Sequence, residues 1–465
     1  MVERVRLGGQ DALWLEMDKP GNLMVVDSLF WTAEPIDWDR YLVDVTERLW
    51  NRYPVFRSVV VRDEKAGWCW EELPDARLED RYERVVLPEP GGDAELQQLI
   101  AAQRVAPLDR SEPLWRCVLV DNFHGGSAVL FRGHHAIADG IRMVQLSLSI
   151  FDLDPDGTPV AVPAAEELVP RVAGETGRGA LATTWQVARE VVTNPVGAAH
   201  SVLTLADPLV GAARFALGAL PGDVDVVRKL ALGTRNDATS WTGHVGATKA
   251  IAWSPALPLE QVKTVAHAHG ATVNDVLVAC VAESLRAYLD KHDARCHSVT
   301  WDVPVNLKPF DPTLPVELGN GFALVQLELP THLEDPLETL AVVRRRMGRI
   351  KHGHEAVVDY GIQALIAKMS TRVYRATVDL LANRAIGVLT NVPGPRVPLY
   401  VAGQRIVGMM GWAPLTADQV MSFTIYSYDG QVFVGIAADA GLVPEHEQIV
   451  DGFADAFSRF AVLVP

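Results

Sequence analysis

Cysteine is scarce: Cys69, Cys117, Cys280 and Cys296 are the only four in 465 residues, and no two share a CxxC or similar ligand spacing. That excludes a disulfide-stapled scaffold and a cysteine-built zinc site, and it points to reduced, packed thiols and a cytoplasmic protein. Positive charge is in deficit, with 42 Lys and Arg against 58 Asp and Glu and a net charge of −16. Such a surface repels a nucleic-acid backbone or an anionic bilayer over most of its area, so no nucleic-acid partner is expected. Long apolar runs are missing as well. No uninterrupted stretch approaches the roughly 18 residues of a membrane-spanning helix, and the opening MVERVRLGGQ has no apolar signal-peptide core. Any membrane contact is therefore expected to be peripheral. No GxSxG elbow, P-loop or GxGxxG signature occurs, which disfavours serine hydrolase, nucleotide hydrolase and dinucleotide oxidoreductase readings.

What is present is an ordinary globular composition, 49% hydrophobic and 22% charged, in a chain long enough for two or three domains at about 150 residues each. To about Asp152 the pattern mixes strands with helices. Met24 to Trp31 reads as a strand, Trp38 to Arg52 has helical spacing, and Trp115–Val120 and Ser127–Phe131 read as a hairpin around DNFHGG. From Pro155 to about His244 the chain is rich in Ala, Val, Gly and Pro and reads as a helical connector. Its apolar stretch Ser201 to Leu220 suits either a docked helix or a membrane surface. A second mixed segment follows. Thr248 to Trp253 reads as a strand and Pro258 to His269 as a helix, and Thr272 with Asp275 forms a capping box that opens another. Asn274 then sits in an exposed first turn. Asp335 starts a further helix, Ser422–Tyr426 and Val432–Ile436 read as strands, and a last helix begins near Glu445. The expected division is residues 1–154, a connector at 155–244, and residues 245–465.

The sharpest chemical feature is His134-His135 after a strand, followed by Ala136, Ile137, Ala138 and then Asp139-Gly140 opening a helix. A neutral imidazole displayed on such a loop can take a proton from a hydroxyl near neutral pH when its second nitrogen is held. Asp139 is placed to cap the helix, and Gly140 suits a special backbone angle or a close approach by substrate. The plain alternative is one core histidine beside an exposed bystander. A metal site is disfavoured, because neighbouring histidines on a strand end diverge and no HExxH completes a ligand set. Asp152, Asp154 and Asp156 imitate the start of a calcium loop, but Pro163 stands where its bidentate Glu would be. The basic run Arg344, Arg345, Arg346, Arg349 and Lys351 reads as a solvated helix face or a phosphate site.

HHAIADG resembles the HHxxxDG motif of the acyltransferase superfamily that includes chloramphenicol acetyltransferase and peptide-synthetase condensation domains. In the right order, LGGQDALWLEMDKPGNLMVV, PLW at Pro113–Trp115, VND at Val273–Asp275, PVNLKP, LGNGF, NVPGP and SYDG resemble the bacterial wax ester synthase/acyl-CoA:diacylglycerol acyltransferase family. The resemblance implies an α/β fold of two similar chloramphenicol-acetyltransferase-like halves, with mixed sheets, flanking helices and an active-site channel between them. It implies transfer of a long-chain acyl group from acyl-CoA to diacylglycerol or a fatty alcohol, with no cofactor, no metal and no acyl-enzyme. His135 would be the general base, His134 its support and Asp139 an ion-paired structural residue. Asn274 would orient substrate or the oxyanion, while Gly140, Trp115 and Asp275 would border the substrates, Asp275 chiefly as a cap. A peripheral membrane or lipid-droplet location fits such substrates. The alternatives are a carrier-protein-bound donor, a different acceptor, or a non-catalytic acyl-binding protein.

Overall fold

The computed structural model describes residues 4–160, 239–306, 322–352 and 371–464, together with Leu314 and Leu318. Most of the expected connector, and parts of PVNLKP and LGNGF, lie outside the described residues.

The chain opens with β1 (Arg4–Arg6) and α1 (Gly9–Met17), then enters β2 (Val25–Thr32) and α2 (Trp38–Val45). Asp37 caps α2 by accepting from the backbone N–H groups of Asp39 and Arg40. The helix expected to run on to Arg52 changes instead into one wide π turn at Thr46–Trp50, where the Asn51 N–H reaches back to the Thr46 carbonyl. Thr46 competes for the ladder by donating its hydroxyl to the Leu42 carbonyl at 2.6 Å, and Pro54 then prevents continuation. Next come β3 (Ser58–Asp63), β4 (Gly67–Glu72), β5 (Tyr82–Val86), α3 (Asp93–Arg104), β6 (Trp115–Phe123), β7 (Gly126–His134) and α4 (Gly140–Ile150). The strands β6 and β7 form the hairpin expected from the sequence.

After residue 239 the order is β8 (Lys249–Trp253), β9 (Leu257–Pro258), α5 (Leu259–Ala268), α6 (Val273–Lys291), β10 (Ser298–Asn306), β11 (Phe322–Pro330), α7 (Pro336–His352), α8 (Thr371–Ala382) and β12 (Gly387–Pro393). The chain closes with β13 (Tyr400–Val401), β14 (Gln404–Trp412), β15 (Met421–Tyr428), β16 (Gln431–Asp439) and α9 (Glu447–Val462). Gly270, at φ +58°, ends α5, and the reciprocal Thr272 and Asp275 bonds open α6 as the sequence predicts.

Two mixed sheets carry this plan. One has the order β13-β14-β2-β7-β6-β5, with β5 and β6 parallel and the other pairs antiparallel. The other runs β11-β10-β12-β15-β16-β8, with β12 parallel to both β10 and β15. The residues of β13 and β14 belong by sequence to the second segment, yet β14 pairs with β2 along Trp412↔Asp27 and Met410↔Leu29 and so extends the first sheet. A hydrophobic core follows each sheet. The first draws Met409, Met410 and Trp412 in beside Leu29 and Phe30, so apolar burial as well as backbone pairing joins the halves. The second is built on Trp301, Phe423, Phe453 and the buried face of α6.

Charge tightens the same seam. Asp27 is buried and bonded to both Arg104 and Arg132, with Arg132 Nε at 3.2 Å, and Arg104 Nη2 donates across to the Ala413 carbonyl at 2.7 Å. Asp154 accepts from the N–H groups of Gly157 and Thr158, so the calcium-like DPDG is a tight turn. In α7, Arg346 bonds to Glu328, while Arg344, Arg345 and Arg349 are exposed. Among the described residues no single helix is long and apolar enough to cross a membrane, and no group of three His, Cys, Asp or Glu is placed to hold a metal.

Candidate active site

The histidine loop leaves the end of β7, a central strand of the first sheet. Three backbone bonds fix its path: His134 N–H to the Leu114 carbonyl at 2.9 Å, His135 N–H to the Met24 carbonyl at 2.7 Å, and Ile137 N–H to the His134 carbonyl at 3.0 Å. Ala136, Ile137 and Ala138 are buried, which anchors the loop by its apolar residues, and α4 then starts with the Asp139 carboxylate accepting the Arg142 N–H at 3.0 Å. Asp139 is thus the helix cap expected from the sequence.

The two histidines differ in surroundings. The His134 ring is buried, with its Nδ1 accepting the Ala136 N–H at 3.0 Å and its Nε2 lying 3.3 Å from Asp18 Oδ2. An accepting Nδ1 requires the proton on Nε2, so His134 donates to Asp18. Burial pushes the Asp18 carboxyl upward, but the hydrogen bonds from His134 and the Met24 N–H, with the nearby Arg110 charge, together hold it below the ordinary carboxylate value. His135 instead has an aromatic setting. Its ring centroid is 4.8 Å from that of Trp14 on α1 and 5.2 Å from that of Phe322 at the start of β11, and these two aromatics stack on each other at 5.6 Å. Phe322 comes from the second segment of the chain, so His135 sits where the two halves meet. Further bonds seal this meeting: Gln10 Nε2 to the Phe322 carbonyl, Lys19 to Asp379, Arg375 to Glu16, and Asn22 Nδ2 to the carbonyls of Ala417 and Gln419.

Gly140 is exposed, and a Cβ built on it would meet nothing within 4 Å, while its φ is not positive. It therefore borders open space beside the histidine loop and supplies no special backbone angle. Trp115 lies elsewhere. It pairs with Gly133 across the β6–β7 ladder and is fully buried, with Nε1 donating to the Phe56 carbonyl at 2.7 Å and its ring packed among Phe56, Tyr82 and Phe131. Its indole supports the histidine-bearing strand from the core side.

Asn274 and Asp275 stand on the second half in the first turn of α6. Asp275 is buried and accepts the Thr272 N–H at 2.9 Å, which is capping work. Asn274 Oδ1 accepts from Asn391 Nδ2 at 2.8 Å, which engages the Asn274 oxygen and makes its NH2 the group that can donate. The sequence reading assigned no role in the site to Asn391, in NVPGP on β12, or to Asp18, Trp14 and Phe322. All four lie in or beside segments it quoted, but only tertiary pairing brings them to the histidines and to Asn274. The four cysteines are buried, and burial pushes the thiols of Cys117 and Cys280 far up, so neither is a ready nucleophile.

The chain is similar to known proteins along nearly its whole length. The wax ester synthase/diacylglycerol acyltransferase catalytic domain profile matches residues 7–277, and the C-terminal domain profile of the same family matches 318–460. A Mycobacterium tuberculosis protein described as a diacylglycerol O-acyltransferase is 27% identical, with 96% of this chain and 95% of that protein covered. The O-acyltransferase WSD of Acinetobacter baylyi is 23% identical over 97% of this chain and 95% of its own. Among solved structures, the wax ester synthase/diacylglycerol acyltransferase of Marinobacter aquaeolei superposes with a TM-score of 0.69 at 20% identity, covering 98% and 99% of the two chains. The first condensation domain of the calcium-dependent antibiotic synthetase follows the same fold at a TM-score of 0.59 and 16% identity, covering 99% of this chain and 95% of that one.

Proposed function

Because the chain belongs to the wax ester synthase/diacylglycerol acyltransferase family and is an acyltransferase of it, we propose that it moves a long-chain acyl group from acyl-CoA to the hydroxyl of diacylglycerol or of a long-chain alcohol. The observation that carries the reading is His135, packed against the stacked pair of Trp14 from one half and Phe322 from the other and followed by the open Gly140. An apolar wall beside a base suits an acyl chain, and a base where two halves meet can be approached from two directions, by a thioester and by an alcohol.

In this reading the His135 imidazole takes the acceptor hydroxyl proton as its oxygen attacks the thioester carbonyl. The tetrahedral intermediate then collapses, the carbon–sulfur bond breaks, and the imidazolium returns its proton to the departing thiolate. Net proton change is zero, and no side chain becomes acylated. The Asn274 NH2, oriented by Asn391, is our candidate donor to the developing oxyanion. His134 and Asp139 hold the loop. No step calls for a metal or cofactor, and the acceptor is expected at a lipid surface, which co-flotation with liposomes tests.

The direct test follows thiol release from palmitoyl-CoA with diacylglycerol, hexadecanol or no acceptor. Release that depends on an acceptor supports the reading and ranks the acceptors. Silence from folded protein with every acceptor, or equal release without one, overturns it.

A further inference from the structure

The Asp18 carboxylate takes three bonds, one directly from the ring of His134, one from Met24, whose carbonyl holds the His135 N–H, and one from Arg110. The segment after α1, DKPGN, closes a tight turn: Lys19 and Asn22 exchange backbone hydrogen bonds at 3.1 and 3.0 Å, and Gly21 adopts φ +94° with a would-be Cβ only 2.8 Å from the Gly246 carbonyl. The turn brings the Met24 N–H back to Asp18 Oδ1 at 2.7 Å. The Met24 carbonyl in turn accepts the His135 N–H at 2.7 Å. The second carboxylate oxygen, Asp18 Oδ2, receives His134 Nε2–H at 3.3 Å and Arg110 Nη2 at 3.3 Å. Asp18 also ends α1, the helix whose Trp14 faces the His135 ring. One residue thus bonds the first histidine's ring, bonds the residue whose carbonyl holds the second histidine's N–H, and ends the helix whose Trp14 faces that second ring.

We propose that Asp18 is the positioning residue of the histidine loop, its carboxylate fixing His134 as the Nε2–H tautomer and, through Met24, fixing the backbone that aims His135. Both oxygens are required. An asparagine offers one acceptor and one donor, so its NH2 must face either the Met24 N–H or His134 Nε2–H, and one of the two ties is lost. If His134 takes the other tautomer, its Nδ1–H opposes the Ala136 N–H, and the turn that leads through His135 loses its fit. The role rests on the reading of His135 as the base, because positioning matters to turnover only if His135 acts there.

The test joins kinetics to a measurement that needs no turnover. Asp18→Ala and Asp18→Asn are compared with wild type for kcat and for KM toward palmitoyl-CoA, with circular dichroism and Tm to confirm folding. In parallel, the imidazole nitrogen resonances of 15N-histidine-labelled protein report the His134 tautomer, with His134→Asn identifying the signal. The expected result is a loss of about 10-fold or more in kcat for Asp18→Ala with KM within about two-fold. The same variant should lose the pure Nε2–H signature of His134, and Asp18→Asn should remain folded with a partial loss in kcat. A folded Asp18→Ala with kcat within two-fold of wild type overturns the proposal. So does a fall in kcat while the His134 signature stays unchanged, since Asp18 would then be serving the turn alone. Should wild type itself show no transfer, the tautomer measurement still stands and the failure lies with the acyl-transfer reading.

Discussion

Removing the charge of Asp27 should cost more stability than almost any other single polar change in the first half. Asp27 is the third residue of β2, opposite Trp412 of β14 on one side and Arg132 of β7 on the other, and is 1% exposed. Its two oxygens take Arg104 and Arg132 separately, and Arg104 continues to the Ala413 carbonyl at 2.7 Å. Each charge-assisted bond is worth about 1.5–3 kcal/mol, and breaking a buried ion pair by removing one partner typically costs about 3–5 kcal/mol. In Asp27→Asn one guanidinium keeps an acceptor while the other meets an NH2, so a loss of about 3–5 kcal/mol is expected. For a unit of this size that corresponds to a fall in Tm of roughly 10 °C. Urea unfolding followed by tryptophan fluorescence measures the loss. Arg132→Met should also destabilise, and the double variant should lose less than the two single losses combined, because both remove one network. A folded Asp27→Asn within about 1 kcal/mol of wild type, or full additivity in the cycle, would refute the reasoning.

Three further outcomes follow from local geometry. Thr272→Ala deletes one side of the reciprocal cap on α6 and should cost about 1 kcal/mol while lowering kcat, because Asn274 lies inside that cap; unchanged turnover would separate Asn274 from the chemistry. Asp18 has a folded pKa below its unfolded value, so its stabilising effect is complete above the usual carboxylate pKa of about 3.9 and is lost as pH falls through the lower folded value. The stability gap between wild type and Asp18→Asn should therefore be constant near neutrality and narrow in acid, and a gap that widens in acid contradicts the assignment. The four buried cysteines should stay unreactive toward an aromatic disulfide reagent until the protein unfolds, and fast labelling of the native protein would contradict their burial.

Much of this architecture was legible because it is written locally. The alternation in Met24–Trp31, the capping box at Thr272 and Asp275, the stop at Gly270 and the hairpin around DNFHGG each act over a few residues, and each produced its element. HHAIADG was likewise legible as a strand, a loop and a helix start, with Asp139 as cap. Where local signals compete, reading fell short: Thr46 and Pro54 turned the end of one expected helix into a π turn. The contacts that define the site were beyond local reading. The bond from His134 to Asp18 spans 116 residues, and that from Asn391 to Asn274 spans 117. The placement of β14 beside β2 depends on backbone pairing and shared apolar burial, which no pattern within Gln404–Trp412 encodes.

The central claim is that His135, placed where the two halves meet, is the base that activates the acceptor. The measurement that tests it most directly compares acceptor-dependent thiol release from palmitoyl-CoA by wild type and by His135→Ala, with circular dichroism and Tm confirming that the variant folds. Loss of general-base catalysis is expected to lower kcat by about 100- to 10,000-fold while the palmitoyl-CoA KM changes little. Turnover by folded His135→Ala within a few-fold of wild type would contradict the account.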